Sequence, residues 1–474
     1  MNTPITRLYL VVVLLFGVLV VGTSWNTVFR AKELRDKPQN RRQLLEQQRI
    51  RRGVIRADDG SALARSVRQS DGSFTRLYPQ NGLFAQAIGY SFTRYGRAGL
   101  EQSRNDALSG TTTELGTLFD RLSGTKPEGD DVQTTLDPNA QRVALQGLAG
   151  RKGAVVALDP QTGAIKVMAS IPGYDPNAIA KPGRFTRLNQ DQDAPLLNRN
   201  TQAGYTPGST FKVVTAIAAM DSGRFTPDSL VSGRNLKPIS GVPLRNFGGE
   251  DFGLITLTDA LTHSVNTAWA TVGEKLGKRT MGTYMNRLGF DEPVQVDLPA
   301  SERRASGEFV NGRLIRPTSR VVDVGRMAIG QDKLNVTPLQ MAMVASAVAN
   351  GGRLMKPHLT DRIVDRDGRT VDRIQPSEMS QVMSGKSAGE VADMMGKVVQ
   401  EGTGTAAALQ GISVGGKTGT AEVGHGCPNQ VWFIAFAPRH NPKVAIAVTV
   451  ECASGTGGEV AAPIAKNVMQ ELLK

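Results

Sequence analysis

Hydrophobic residues fall along the chain in blocks of different period, and each block predicts an element. The first is an uncharged run from Leu8 to Gly22, extended through Thr23 and Ser24 to Trp25. It approaches the ~18–20 residues a helix needs to cross a bilayer, with a tryptophan at its interfacial end. A polar stretch rich in Arg and Gln follows, from Asn26 to Arg52, and reads as a solvated juxtamembrane helix. Beyond it, Arg52 to Asp58 and Ser61 to Ala64 flank Asp59-Gly60, the pattern of a strand, a tight turn and a second strand. The text stays mixed and punctuated by glycine up to Asp130, which predicts a small, irregular, largely β pedestal over Arg51–Asp130.

Longer patterns begin at Val132. Asp137-Pro138 precedes a helical pattern with apolar residues at Val143, Leu145 and Leu148. Two apolar runs, Gly153–Leu158 and Ala164–Ala169, flank the turn Asp159-Pro160-Gln161-Thr162-Gly163 and predict a hairpin. Helical patterns dominate from Ser209 to about Val399, for example Leu257–Leu276 and Thr337–Ala349. Strands return after Gly402, and one helix, Pro463–Leu473, is expected last, with no appended module after it. Two early strands, three late ones and helices between them predict an antiparallel sheet closed by distant segments, with a helical lobe inserted. The expected divisions are a short tail (1–7), a transmembrane anchor (8–25), a juxtamembrane and pedestal region (26–130) and a larger sheet-and-helix domain (131–474).

Composition narrows the surroundings. The 474 residues, 40% hydrophobic and 21% charged, describe ordinary globular protein outside the first run. A net charge of +13 points to anionic neighbours: nucleic acid, anionic lipid or an acidic wall polymer. With no helix-turn-helix signature, zinc-finger spacing or aromatic RNA-binding motif, nucleic acid is the weakest of these and an anionic membrane surface fits better. The apolar run is long for a signal peptide and lacks a small-x-small cleavage site, which favours a single-pass anchor over a cleaved leader. Its flanks pull the other way. Only Arg7 precedes it, while Arg30, Lys32, Arg35, Lys37, Arg41 and Arg42 follow, and the positive-inside rule would hold those in the cytoplasm.

The two cysteines, Cys427 and Cys452, bracket the strand-like runs Val431–Ala437 and Val444–Val450 and lie about equally far from the turn Pro438–Pro442. Antiparallel pairing would bring them face to face, so a disulfide is expected, in an oxidising compartment; two free buried thiols are the alternative. His425 and Cys427 are the one pair worth weighing as metal ligands, and with no further ligands they read as loop and disulfide.

The candidate chemistry lies in three fragments. Tyr205-Thr206-Pro207-Gly208-Ser209-Thr210-Phe211-Lys212 is a tight turn opening a buried helix. Residues three apart share a helix face, so the Lys212 amine is expected beside the Ser209 hydroxyl. A lysine can take a serine's proton only if burial or a second cation lowers its pKa. Ser264-Val265-Asn266 stands within or just before a helix, where the bland alternative is a helix cap. Gly415-Gly416-Lys417-Thr418-Gly419-Thr420-Ala421 stands on a strand. Each fragment alone is weak; the order Ser-x-x-Lys, Ser-x-Asn, Lys-Thr-Gly is strong.

On these fragments the chain resembles the penicillin-recognising serine acyltransferases and, more narrowly, the class B penicillin-binding proteins, monofunctional peptidoglycan D,D-transpeptidases. The likeness extends to Arg52–Ile55, Gly153–Asn177, Thr337–Gln340, Gly402-Thr403-Gly404, Lys417–Glu422 and Trp432–Pro438, and the modest length is most similar to the short actinobacterial penicillin-binding protein A group. One departure is Gln331-Asp332, where the family usually has glycine in second place. The resemblance implies an α+β, serine β-lactamase/transpeptidase-like fold with a central antiparallel sheet of about five strands, flanking helices and a helical lobe, with 26–130 as a juxtamembrane and pedestal or dimerisation domain and 131–474 as the penicillin-binding transpeptidase domain. It implies that Ser209 attacks a D-Ala-D-Ala stem peptide, that β-lactams trap it, and that the backbone N–H groups of Ser209 and Thr420 form the oxyanion hole. Lys417 would supply a fixed positive charge, Thr418 and Thr420 would donate to the substrate carboxylate, and Gly419 would let a peptide lie against the strand. Ser264 would relay a proton to the leaving amine and Asn266 would hold the acyl chain's amide. No metal or cofactor is required. This chemistry places the catalytic domain outside the cell, against the flanking charges, beside a glycosyltransferase or division-complex partner. A D,D-carboxypeptidase with the same residues, a β-lactamase, and a β-lactam sensor or division scaffold remain as alternatives.

Overall fold

The structure, a computed structural model, describes residues 3–28, 48–110, 128–424 and 426–474. The basic residues Arg30 to Arg42, most of the expected juxtamembrane helix, and His425 lie outside the described residues. Helix α1 (Thr3–Val28) contains an 18-residue window, Thr6–Thr23, long and apolar enough to cross a membrane, and none of that window is buried against protein.

The pedestal is built on β1 (Ile55–Arg56), β2 (Ala62–Arg68), β3 (Phe74–Leu77) and β4 (Asp131–Thr134). Ile55 pairs antiparallel with Ala64 across the Asp-Gly turn and runs parallel to Val132. Two strands from far downstream, Thr360–Val364 and Thr370–Arg373, complete a six-stranded sheet, with Thr360–Val364 antiparallel to β4. The sheet therefore crosses the division expected near residue 130. Short helices, such as Gly99–Ser103 and Asn105–Ser109, make this region less purely β than its glycine-rich text suggests.

The catalytic region is organised by β5 (Gly153–Leu158), β6 (Ile165–Ile171), β7 (Gly415–Gly424), β8 (Cys427–Ala437) and β9 (Val444–Val450). Their order is β7-β8-β9-β5-β6, antiparallel throughout, with β7 at the edge. Alternation along β8 shows why the central runs are apolar without a break. Trp432, Ile434 and Phe436 enter one core with α2 (Lys212–Asp221) and Pro338–Ala349, while Val431, Phe433 and Ala435 enter a second core with the C-terminal helix. A sheet covered on both faces has no polar side to display. Val431 faces Val450, and just past that register Cys427 and Cys452 are disulfide-bonded, with Cα atoms 4.6 Å apart.

Three boundaries differ from the sequence expectation. Helices do outweigh strands from Ser209 to Val399, but between α2 and α4 (Gly385–Gln400) the lobe also holds ladders of two to five residues, such as Leu230–Ser232 with Leu254–Thr256 and Gly307–Val310 with Arg313–Ile315. Runs so short show no alternation that could outweigh the neighbouring helical periodicity. The pattern over Leu257–Leu276 is two helices, Leu257–Thr262 and α3 (Asn266–Arg287), broken at His263–Val265. The final helix, α5 (Gly457–Leu472), starts well before Pro463, at a capping box between Thr456 and Glu459, and carries the proline inside it.

Candidate active site

Ser209 sits half-buried in a 3-10 turn, Gly208–Phe211, which runs directly into α2 at Lys212. The turn is held on two sides. The Gly208 N–H donates to the Gly330 carbonyl (3.0 Å), and the Thr210 hydroxyl donates to the Pro207 carbonyl (2.8 Å). Strand β7 approaches so closely that a Cβ on Gly419 would lie 2.8 Å from the Pro207 oxygen and 2.9 Å from Thr210 Cγ2. The glycine thus seats the nucleophile turn on the sheet edge. Behind it, Trp432 Nε1 donates to the Thr206 carbonyl (3.0 Å), and the Tyr205 hydroxyl donates to Glu451 (2.6 Å).

The lysine does not sit as helix spacing alone predicts. Lys212 is fully buried, and its amine lies 2.6 Å from the Ser264 carbonyl, 2.7 Å from Asn266 Oδ1 and 3.2 Å from Ser264 Oγ. Among the described residues the Ser209 hydroxyl makes no hydrogen bond, to Lys212 or to any other group. The break between Leu257–Thr262 and α3 brings this about: Ser264 takes a left-handed φ of 58° and turns both its carbonyl and its hydroxyl to the amine. Neither Ser264 nor Asn266 caps α3. Val265 holds the cap position without a side-chain bond, and Asn246 caps in its place, its Oδ1 accepting from the Thr267 N–H (3.0 Å) and hydroxyl (3.1 Å). Asn266 Nδ2 donates to the Arg245 carbonyl (3.0 Å), so Asn266 Oδ1 is left facing Lys212.

Lys417, also fully buried, reaches the same hydroxyl from β7: its Nζ is 2.9 Å from Ser264 Oγ and 3.1 Å from the Thr418 carbonyl. Ser264 Oγ is therefore the single atom on which both amines meet. Burial, and then the Lys417 charge beside it, push the Lys212 pKa well below the ordinary lysine value, and burial pulls Lys417 down to about 7. Burial thus brings the Lys417 ammonium into the range where it titrates near neutral pH. A neutral Lys212 has two N–H bonds, which the Ser264 carbonyl and Asn266 Oδ1 accept, and one lone pair left for a hydroxyl proton.

The two threonines are already engaged. Thr418 Oγ1 lies 2.6 Å from Thr403 Oγ1, and Thr420 Oγ1 accepts from the Gly457 N–H (3.2 Å), which leaves the Thr420 hydrogen to donate elsewhere. At the departure from the family pattern, Asp332 adopts a φ of 68°, the left-handed conformation a glycine would take freely, and its carboxylate accepts from the Asp323 N–H (3.0 Å). Among the described residues no cluster of metal-ligating side chains occurs.

Residues 153–470 match the profile of the penicillin binding protein transpeptidase domain. The chain belongs to the penicillin-binding protein family. Residues 52–132 match the penicillin binding protein A dimerisation domain. The peptidoglycan D,D-transpeptidase PbpA of Mycolicibacterium smegmatis is 34% identical, over all of this chain and 99% of the relative. Stage V sporulation protein D of Bacillus subtilis is 30% identical over 84% of this chain and 64% of its own length. Among solved structures, an imipenem acyl-enzyme complex of penicillin-binding protein A from M. tuberculosis superposes with a TM-score of 0.82 at 31% identity, covering 91% of this chain and all of that one.

Sequence reasoning missed Asn246, Arg245, Gly330 and Thr403 as parts of the site's frame. Asn246 and Arg245 carry no motif signal, because their role is to fill hydrogen-bond positions on a helix that begins some twenty residues later. Thr403 stood inside a fragment that resembles the family, but nothing local tied it to Thr418.

Proposed function

We propose that this penicillin-binding protein is a membrane-anchored peptidoglycan D,D-transpeptidase that works through a Ser209 acyl-enzyme. The observation that carries the reading is the convergence of Lys212 and Lys417 on Ser264 Oγ, with the Ser209 turn seated against Gly419 on the open edge of β7. A donor stem peptide lies along that edge as an added strand, its terminal carboxylate drawn to Lys417 and the Thr418 and Thr420 hydroxyls. Ser209 Oγ attacks the carbonyl of the penultimate D-alanine while the Lys212 lone pair takes its proton. The negative oxygen that forms is held by backbone N–H groups of Ser209 and Thr420. The proton passes through Ser264 to the departing amine, the C–N bond breaks, and terminal D-alanine leaves. An amine on a neighbouring stem peptide then attacks the ester, its proton returns by the same route to Ser209 Oγ, and a cross-link replaces the acyl-enzyme. A β-lactam enters as the donor does, but its amine stays tethered and the ester persists.

The active region works on the outer side of the membrane, held by α1, and the pedestal offers a surface to a glycosyltransferase or division-complex partner. Labelling with fluorescent penicillin, followed by mass spectrometry of the labelled peptide, tests the reading: wild type carries the label on Ser209 and Ser209→Ala carries none. Incubation with a stem-peptide donor and an amine acceptor then separates the outcomes. Cross-linked product supports a transpeptidase; D-alanine release with only hydrolysed donor makes the protein a carboxypeptidase; labelling with neither product leaves a sensor or scaffold.

A further inference from the structure

The fragment Gly402-Thr403-Gly404 lies between two of the elements that bring chemistry to the cleft. The Thr403 N–H donates to the carbonyl of Thr262 (3.4 Å), two residues before Ser264, and the Gly404 N–H donates to the Val398 carbonyl in α4 (2.9 Å). A side chain on Gly402 would run into the Thr262 carbonyl, so the turn is pressed against the end of that helix. On its other side, Thr403 Oγ1 meets Thr418 Oγ1 at 2.6 Å, and Thr418 Oγ1 lies 3.5 Å from Lys417 Nζ. Thr418 is buried to 6% exposure, whereas Thr403 opens to solvent.

A hydroxyl has one hydrogen to give and two lone pairs to fill. If Thr418 spends its hydrogen on Thr403, it presents only lone pairs to an arriving carboxylate and repels it. If Thr403 donates instead, and Lys417 fills the second lone pair, the Thr418 hydrogen can point only outward. We propose that Thr403 is a positioning residue: it donates to Thr418, so that Thr418 meets the substrate carboxylate as a donor. This rests on the reading of Lys417 and Thr418 as the carboxylate site. Thr403 acts through Thr418, and its backbone ties to Thr262 keep the aim of the hydroxyl from depending on the ligand.

The test compares acylation of the full chain by a penicillin free acid with acylation by the methyl ester of the same penicillin, in wild type, Thr403→Val and Thr403→Ser. Valine keeps the shape and removes the donor; serine keeps the donor. The ratio of the two rate constants does not depend on how much of a variant is folded. The ratio of acid to ester should fall about two- to threefold in Thr403→Val, where Thr418 keeps its hydrogen but loses the donor that polarises and aims it, and return in Thr403→Ser. An unchanged ratio in Thr403→Val, or a serine variant as impaired as the valine one, would overturn the proposal. Failure of the underlying reading looks different: wild type itself would then show no preference for the free acid, or no label on Ser209.

Discussion

Among the buried charges of the described residues, a cluster in the pedestal and the lysine pair of the active site are assembled on opposite rules. In the pedestal, Glu101 is fully buried between Arg76, whose Nε is 2.5 Å from one carboxylate oxygen, and Arg52, whose Nη2 is 3.0 Å from the other. Burial alone would raise the Glu101 pKa, but the Arg76 and Arg52 charges outweigh it and hold the carboxyl below its usual range. Each charge in the cluster faces one of opposite sign, and the cluster links the start of the pedestal to β3 and the helix Gly99–Ser103. In the cleft, Lys212 and Lys417 are just as buried, yet they carry the same sign and face the same hydroxyl. Nothing among their hydrogen-bond partners is an anion, so the fold withholds the compensation it gives Glu101 and both pKa values fall. Charges arranged to be neutralised stabilise a domain; like charges held together are kept for the proton they can exchange.

The largest effect that could break this contrast is on reactivity. Lys212→Met keeps the volume and removes the base, so penicillin acylation should fall by about a thousandfold or more, while the melting temperature stays level or rises. A variant that loses stability along with acylation would mean the lysine pair is a structural feature like the pedestal cluster. The converse change is Glu101→Gln, which leaves Arg76 and Arg52 buried without a counter-charge. It should cost about 3–5 kcal/mol in denaturant unfolding while acylation per folded molecule is retained.

pH separates the clusters in opposite directions. The lowered Glu101 pKa contributes stability that is present above its unfolded value, about 4.3, and is lost as pH falls below it. Each lowered lysine pKa does the reverse: the penalty shrinks as pH climbs from the folded value, about 7 for Lys417, toward the unfolded value near 10.4. Thermal melts of wild type and Glu101→Gln should therefore converge in acid, and melts of wild type and Lys212→Met should converge in base. Acylation should rise on the acid side as Lys212 loses its proton and fall again once Lys417 is neutral, with the alkaline limb starting from about 7 in the free enzyme. The smallest effect sharpens the pedestal side. Arg52→Lys keeps the charge but loses the forked contact to Glu101 and the bond to Asn105 Oδ1 (2.9 Å), and should cost about 1–2 kcal/mol.

The residues of the cleft were legible in different degrees. Ser209, Lys212, Ser264, Asn266 and the Lys417–Thr420 run could be picked out because each fragment is short and carries its residue types at a fixed local spacing. The β8–β9 hairpin was legible because strands buried on both faces read as unbroken apolar runs. The short ladders of the lobe were not, since two to five residues carry too little alternation. The pedestal's last two strands were hidden for another reason: Thr360–Val364 lies more than 200 residues from β4, the strand it joins, and Thr370–Arg373, which pairs with Thr360–Val364, is exposed along its length.

Taken alone, the chain determined which chemical groups would be present, in what order, and that one uncharged run of membrane-spanning length would precede them, since these follow from residue identity and spacing of a few positions. Only tertiary structure decided how the groups meet. It bonded the Lys212 amine to Ser264 and Asn266, buried both lysines so that their pKa values fall, and put Thr403 against Thr418. Each of these depends on desolvation and on contacts between residues far apart in sequence, and neither burial nor long-range closure is written into any local pattern.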